Sequence, residues 1–363
     1  MGEDLQGKSP LCVDLDGTLI KTDLLWESLL ALLKQSPLTL FLLPFWLLNG
    51  KAHFKDEIAR RVTLDVATLP YQQDLVEFLT KERQSGRKLV LATASHVTFA
   101  RAVAEHIGLF DDRVFGSDAE VNLKGARKVA VLVERYGARR FAYAGNSTAD
   151  LPVWAEANEA ILVNAPAPLV KRAQALTTVS QVFGEPVQWL AVLAKALRLH
   201  QWAKNVLVLT PVLASHQITD RSLVLQAGLA FASFSLSASS VYILNDCFDL
   251  SSDRQHPRKK NRPFASGQLS IPFGLLMAIG VLSGGILLAL MFSPFFMSLF
   301  GGYLVLTTAY TFYLKQFVMV DVIALAQLYT LRIYAGGAAT GIVPSHWLLT
   351  FSLFLFLSLA LVK

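Results

Sequence analysis

Sulfur is scarce in this chain of 363 residues: it has only two cysteines, Cys12 and Cys247, and neither belongs to a CxxC pair. That excludes a disulfide framework and a structural zinc site. The polar start MGEDLQGKSP has no apolar export core before the first motif, so no cleaved signal is expected and the front of the chain should stay in the cytosol. Charge is thin as well, at 17% of residues against 53% hydrophobic and a mean hydropathy of +0.44. What charge there is crowds the first 205 positions and the loop after 245. The remainder is dominated by apolar runs of about twenty residues, the length that crosses ~30 Å of hydrocarbon. A soluble domain followed by a membrane domain is expected. The net charge of +6 is no sign of a nucleic-acid partner, because the basic residues sit beside apolar spans, where positive-inside topology accounts for them.

In the front half, SPLCVDLDGTLIKTD reads as a short apolar strand that ends in Asp14-Leu15-Asp16-Gly17-Thr18. Carboxylates at i and i+2 past a buried strand point the same way at its carboxyl end, where open α/β sheets place their chemistry. One can attack a phosphorus while the other gives a proton to the leaving oxygen. RKLVLATAS is a second apolar strand, ending in the hydroxyls of Thr93 and Ser95. NLKGARKVAVLVERYG opens an amphipathic helix with Lys124, a cation able to balance aspartate and phosphate. RFAYAGNSTADLPVW is a third strand ending in Gly145-Asn146, with Asp150 placed to complete a magnesium site.

In this order the four pieces resemble the haloacid dehalogenase-like (HAD) phosphatase superfamily. The resemblance implies an α/β Rossmann-like domain over residues 1–185 with a helical cap at about 24–83. It also implies Asp14 as nucleophile, Asp16 as general acid/base, Thr93 and Lys124 as phosphate holders, and magnesium held by Asp14, Asp16, Asn146 and Asp150. Asn146 departs from the family's usual pair of aspartates and leaves the ion one charge short. The cap contains LTLFLLPFWLLNG, an apolar run interrupted by Pro44 and too short to span. Two readings stand: a core helix of the cap, or a segment lying at the membrane interface.

The back half shows apolar spans at about 223–244, 272–292, 295–313, 318–340 and 344–362, with a shorter one at about 203–215. Counting the short one, Lys195, Arg198, Lys204, the cluster from Arg254 to Arg262, Lys315 and Lys363 fall on one side, with little beyond Arg221 on the other. The basic side is therefore expected in the cytoplasm. Asn245, Asp249 and Asp253 recur every four residues with Asp246 beside the first, so a continuing helix carries them as an acidic stripe at a cytoplasmic helix end. Oxygen ligands so crowded suit magnesium, which takes substrate phosphates as further ligands. Arg254, Arg258, Lys259, Lys260 and Arg262 follow, cations suited to the phosphates beyond the metal. Arg332 is an ionisable group within a span, and Tyr310, Lys315 and Asp321 sit at the cytoplasmic end of the neighbouring pair of spans.

NDCFDLSSD, with LRLHQWAKN before it, HPRKKNRPFASGQLS after it, and then YTFYLK and LRIYAGG, looks like the UbiA superfamily of intramembrane prenyltransferases. It is most similar to the branch that moves phosphoribosyl groups onto polyprenyl phosphate in cell-envelope biosynthesis. That implies an all-α bundle over residues 186–363, with Mg2+ on Asn245, Asp246, Asp249 and Asp253. Lys204, the basic cluster, Tyr310, Lys315 and Arg332 then bind substrate. The implied donor is phosphoribosyl diphosphate and the acceptor a polyprenyl phosphate within the membrane lipids, with the front domain dephosphorylating the lipid product. The ordinary UbiA reaction stays open as the alternative: a prenyl group passes from prenyl diphosphate to an aromatic acceptor. The family usually has nine spans, so a bundle ending at its sixth is expected to be incomplete at the C-terminus. The expected location is the inner or plasma membrane, as a multi-pass protein with its N-terminal domain in the cytoplasm.

Overall fold

The computed structural model describes residues 8–111, 113–184 and 188–362. The expected domain boundary at 185/186, and Lys363, lie outside the described residues. The chain divides into two compact bodies, Met1–Val187 with Leu250–Ile271, and Gln188–Asp249 with Pro272–Lys363. The loop Leu250–Ile271, which carries the basic cluster of the membrane half, thus clusters with the first body.

The first body is built on β1 (Leu11–Val13), α1 (Leu24–Gln35), α2 (Leu43–Leu48), α3 (Lys51–Ala59), α4 (Gln73–Gln84), β2 (Leu89–His96), α5 (Val97–Ile107), β3 (Val114–Ser117), α6 (Ala126–Tyr136), β4 (Ala142–Gly145), α7 (Leu151–Glu156), β5 (Glu159–Val163), α8 (Ala167–Gln174) and β6 (Thr178–Phe183). Its six strands form one sheet in the order β3-β2-β1-β4-β5-β6, every pairing parallel. Strands covered on both faces have to be apolar throughout, and β1 and β4 are buried at every residue. One face carries Leu11, Val13, Leu89, Leu91 and Ile161, the other Cys12, Val90, Tyr143, Trp154 and Leu162. Strand order reverses at β1, so the ends of β1, β2 and β4 lie side by side where a doubly wound sheet opens its crevice.

The cap has its own small core of Leu32, Trp46, Ile58 and Val62. The apolar run 38–50 forms a 3-10 turn, Pro37–Phe41, followed by α2. Of these two pieces only Thr39 and Trp46 are buried. The run is therefore not a core helix of the cap.

The second body contains α9 (Trp189–Ala196), a 3-10 helix Leu199–Leu209 leading into α10 (Thr210–Ala214), and α11 (Arg221–Phe248). After α12 (Leu250–Gln255), which belongs to the first body, come α13 (Ile271–Ala289), α14 (Pro294–Phe312), α15 (Val318–Thr340) and α16 (His346–Val362). Among the described residues four helices, α11, α13, α14 and α15, are long and apolar enough to cross a membrane, and α16 is a shorter apolar helix. The expected short span is the 3-10 helix continued by α10. Neither piece is among the helices long and apolar enough to cross a membrane. Helix α15 packs on this segment through Gly336, where a β-carbon would stand 1.9 Å from the Val208 carbonyl oxygen. Small residues allow such backbone approach in membrane bundles.

Candidate active sites

Asp14 follows β1 directly, its N–H donating to Ala144 O of β4 at 2.9 Å. Its Oδ1 accepts from Leu15 N at 2.9 Å and lies 3.1 Å from Lys128 Nζ. Burial pushes the Asp14 carboxyl above its usual range, against the pull of the Lys128 ammonium. Asp16 is fixed by Leu24 N on Oδ1 at 2.9 Å and by the Ser95 hydroxyl on Oδ2 at 2.5 Å. Burial, with the Asp23 charge next, raises Asp16 to about 7, so it can carry a proton near neutrality. Thr93 is fully buried, and its hydroxyl accepts from Ser95 N. Between the two aspartates and β4, Gly17 adopts φ +73°, and a β-carbon there would meet Asn146 Nδ2 at 2.1 Å. Only glycine lets the Asn146 side chain close over this loop.

Two of the expected site residues have surroundings that their spacing does not show. Lys124 is exposed, whereas Lys128, one turn further on, is buried on the inner face of α6 and contacts Asp14. A lysine at i beside Leu132 at i+4, on the apolar face of an amphipathic helix, was the available signal. Asp150, expected as a metal ligand, has both oxygens engaged from within the fold. Oδ2 accepts from Asn146 N, Ser147 N and Ser147 Oγ, and Oδ1 from Tyr143 OH, which itself accepts from Lys128. It braces the strand end from behind. The cap adds Lys55 of α3, whose Nζ donates to Ala94 O at 2.5 Å and Asn122 Oδ1 at 2.8 Å. Burial lowers its pKa even with Asp16 and Asp23 nearby.

The loop Leu250–Ile271 in this body holds a third such residue. Arg254, read as a diphosphate ligand, is buried in a two-pronged ion pair with Glu27 of α1, at 2.5 and 3.2 Å, and donates to Ala265 O. Glu27 in turn accepts from Thr22 Oγ1 at 2.7 Å. Three of its five N–H donors are engaged within this body. Asp253 is buried and accepts from Arg262 at 2.6 Å, while Arg258, Lys259 and Lys260 are exposed.

In the second body α11 ends at Phe248, with Asp249 as its C-cap, so the acidic stripe is not one continuous helix. Asn245 and Asp249, one turn apart, both face Lys315, whose Nζ is 3.4 Å from Asn245 Oδ1 and 3.9 Å from Asp249 Oδ2. Asp246 is buried and ion-paired with Arg198, whose guanidinium also lies 5.1 Å from the Tyr242 ring. Arg198 holds a left-handed backbone, φ 51°, a conformation costly for a side-chain-bearing residue. Its pairing with Asp246 is invisible in spacing alone, being 48 residues distant. Lys204 is exposed, and its neighbour Asn205 is buried, joining Ser235 to Arg332. Arg332, buried in α15, donates to Asn205 Oδ1 at 2.7 Å, to Leu328 O at 2.5 Å and to Tyr303 OH at 3.2 Å. The Tyr310 and Asp321 side chains interact at the junction of α14 and α15.

Among the described residues no group of three or more His, Cys, Asp or Glu stands close enough to hold a metal ion. Asn245, Asp246 and Asp249 lie at the end of α11, and Asp253 lies in α12. Asn245 and Asp249 offer a hard cation oxygens that already flank the Lys315 ammonium. In the first body Asp14 directly follows β1, and the Asn146 side chain, just after β4, lies against Gly17 of the loop that Asp14 opens.

Residues 206–363 match the model of the UbiA prenyltransferase family, and residues 11–154 that of haloacid dehalogenase-like hydrolases. An uncharacterized protein of Sinorhizobium fredii is 37% identical over 362 residues, 98% of this chain and 69% of that protein. A decaprenyl-phosphate phosphoribosyltransferase of Corynebacterium glutamicum is 35% identical over 164 residues, 44% of this chain and 49% of that enzyme. One of Mycobacterium tuberculosis is 38% identical over 170 residues, 45% of this chain and 56% of that enzyme. The chain spans about half the length of these two curated phosphoribosyltransferases. It belongs to the UbiA prenyltransferase family, an integral membrane enzyme of the transferase class that carries a haloacid dehalogenase-like hydrolase domain in front of its spans.

Proposed function

We propose that the membrane half transfers a 5-phosphoribosyl group from phosphoribosyl diphosphate to a polyprenyl phosphate, and that the front domain removes the 5-phosphate from the lipid product. The observation that carries the first step is the 35–38% identity to decaprenyl-phosphate phosphoribosyltransferases over the half that gathers Arg198, Asn245, Asp246, Asp249 and Lys315. Lys315 and Arg198 favour an anion near these oxygens: the leaving diphosphate draws away the electron pair of the C1–O bond, and an oxygen of the lipid phosphate forms the new bond to C1. Both families generally use Mg2+, and Asn245, Asp246 and Asp249 in one half, with Asp14 and Asn146 in the other, would hold it. When bound it would neutralise phosphate charge. Asp253 completes the motif in sequence and is proposed with them.

For the second step, Asp14 attacks the phosphorus of the 5-phosphate and Asp16 gives its proton to the departing 5-hydroxyl; Asp16 then takes a proton from the water that frees Asp14. Lys128 offsets charge on Asp14 and phosphate, and Ser95 holds Asp16 in place. The basic connecting segments support a cytoplasmic front domain, and residues 1–185 and 186–363 are proposed as the two functional domains.

The test supplies the full-length protein in lipid vesicles with Mg2+ and either pair of substrates. Label moving from phosphoribosyl diphosphate into the organic phase, dependent on polyprenyl phosphate, supports the proposal. Turnover confined to prenyl diphosphate and an aromatic acid contradicts it.

A further inference from the structure

Within the cap, the 3-10 turn Pro37–Phe41 and helix α2 turn nearly all their bulk outward. Leu38 is 77% exposed, Phe41 71%, Phe45 64% and Leu48 84%. Leu40, Leu42 and Leu47 are exposed beside them. The segment is nonetheless well anchored: Trp46 packs inward on Leu32, Ile58 and Val62, with the Arg61 guanidinium 4.6 Å from its ring. A fixed apolar surface of this kind, exposed in the fold, marks a docking site.

Charge and length name its occupant. Between Glu27 and Asp56 the sequence has no acidic residue, while Lys34 and Lys51, both exposed, border the apolar stretch on either side. An apolar face flanked in sequence by lysines complements an anionic lipid surface. Residues 37–48 extend about 18 to 24 Å at helical rises, short of the ~30 Å of hydrocarbon, so the segment lies along an interface and does not cross it. A bilayer is always within reach, because the same chain has four helices able to span one.

We propose that residues 37–48 are a membrane-interface anchor, which seats the cap of the hydrolase-like domain on anionic lipid. This goes beyond the proposed reactions and holds whether or not they are right.

The test places an environment-sensitive fluorophore on the full-length protein in nanodiscs containing phosphatidylglycerol. Cys12 and Cys247 are buried, so label goes to an introduced thiol. Phe41→Cys and Leu48→Cys are the probes, and Glu134→Cys, exposed on α6, is the control. The expected result is emission shifted to the blue at 41 and 48, with several-fold stronger quenching by shallow spin-labelled lipid, and weaker quenching by iodide, than at 134. Lys34→Glu with Lys51→Glu should reduce the lipid quenching. Iodide quenching at 41 and 48 equal to that at 134 would overturn the proposal by showing a wet surface. Shielding from both quenchers would overturn it equally, by showing protein on the patch.

Discussion

Asp16 shows how one side chain's surroundings set its chemistry. Burial and the neighbouring Asp23 raise its folded-state pKa from 3.8 to about 7. The native state therefore binds the Asp16 proton more tightly than the unfolded chain does. That contribution to stability is full below about pH 4 and is lost as pH rises through about 7. Asp16→Asn, uncharged at every pH, is expected to resist unfolding better than the parent at pH 8 and no better at pH 5. Alkylation of Cys12, fully buried in β1 and with its thiol pushed up to about 12, reads out opening of this sheet in metal-free buffer. A pH-independent difference would contradict the account. Lys128 supplies the second prediction at this scale. Lys128→Met should lower hydrolysis of a phosphomonoester by about 10²-fold or more, as removal of a stabilising charge from a reacting centre does, while Lys124→Met retains most activity. Equal losses in the two variants would return the role to Lys124.

Elements make and break what single residues suggest. The acidic stripe was drawn on a helix continuing past residue 249; the chain instead ends α11 at Phe248 and begins α12 at Leu250. Asn245 and Asp249 keep their shared face because they lie one turn apart at the end of α11. Asp246 is drawn to Arg198, a partner that no local spacing reveals. The same holds for Arg254: its counter-ion, Glu27, lies 227 residues away. Loss of one member of a buried ion pair costs about 3 to 5 kcal/mol. Arg254→Ala should therefore free the loop Leu250–Ile271, seen as faster tryptic cleavage at Arg258, Lys259 and Lys260; an unchanged cleavage rate would contradict this anchoring. Gly336 bears on the membrane half. Gly336→Ala places a β-carbon 1.9 Å from Val208 O and should cut the yield of monodisperse protein in detergent, whereas Gly228→Ala, with nothing within 4 Å, should leave it unchanged.

For the whole molecule, the parts legible in the sequence were those governed by local rules. Apolar β1 with aspartates at its end, Thr93 and Ser95 on β2 and the strand ending at Asn146 all emerge where periodicity and spacing put them, and the long spans match to within a few residues. The segment expected as a short span is wound largely as a 3-10 helix and, among the described residues, is not one of the helices long and apolar enough to cross a membrane. Side-chain pairing between distant segments, Lys128 with Asp14 or Arg332 with Asn205, depends on tertiary approach and left only faint traces. The two proposed reactions set one requirement on both halves, a phosphate-bearing substrate held by oxygens and cations. The direct test uses phosphoribosyl diphosphate carrying radiocarbon in the ribose and radiophosphorus on the 5-phosphate, given to full-length protein with Mg2+ and polyprenyl phosphate in vesicles. The account predicts radiocarbon in the extracted lipid with radiophosphorus released as inorganic phosphate, and both labels retained in the lipid by Asp14→Asn. A lipid fraction that gains no radiocarbon would contradict it.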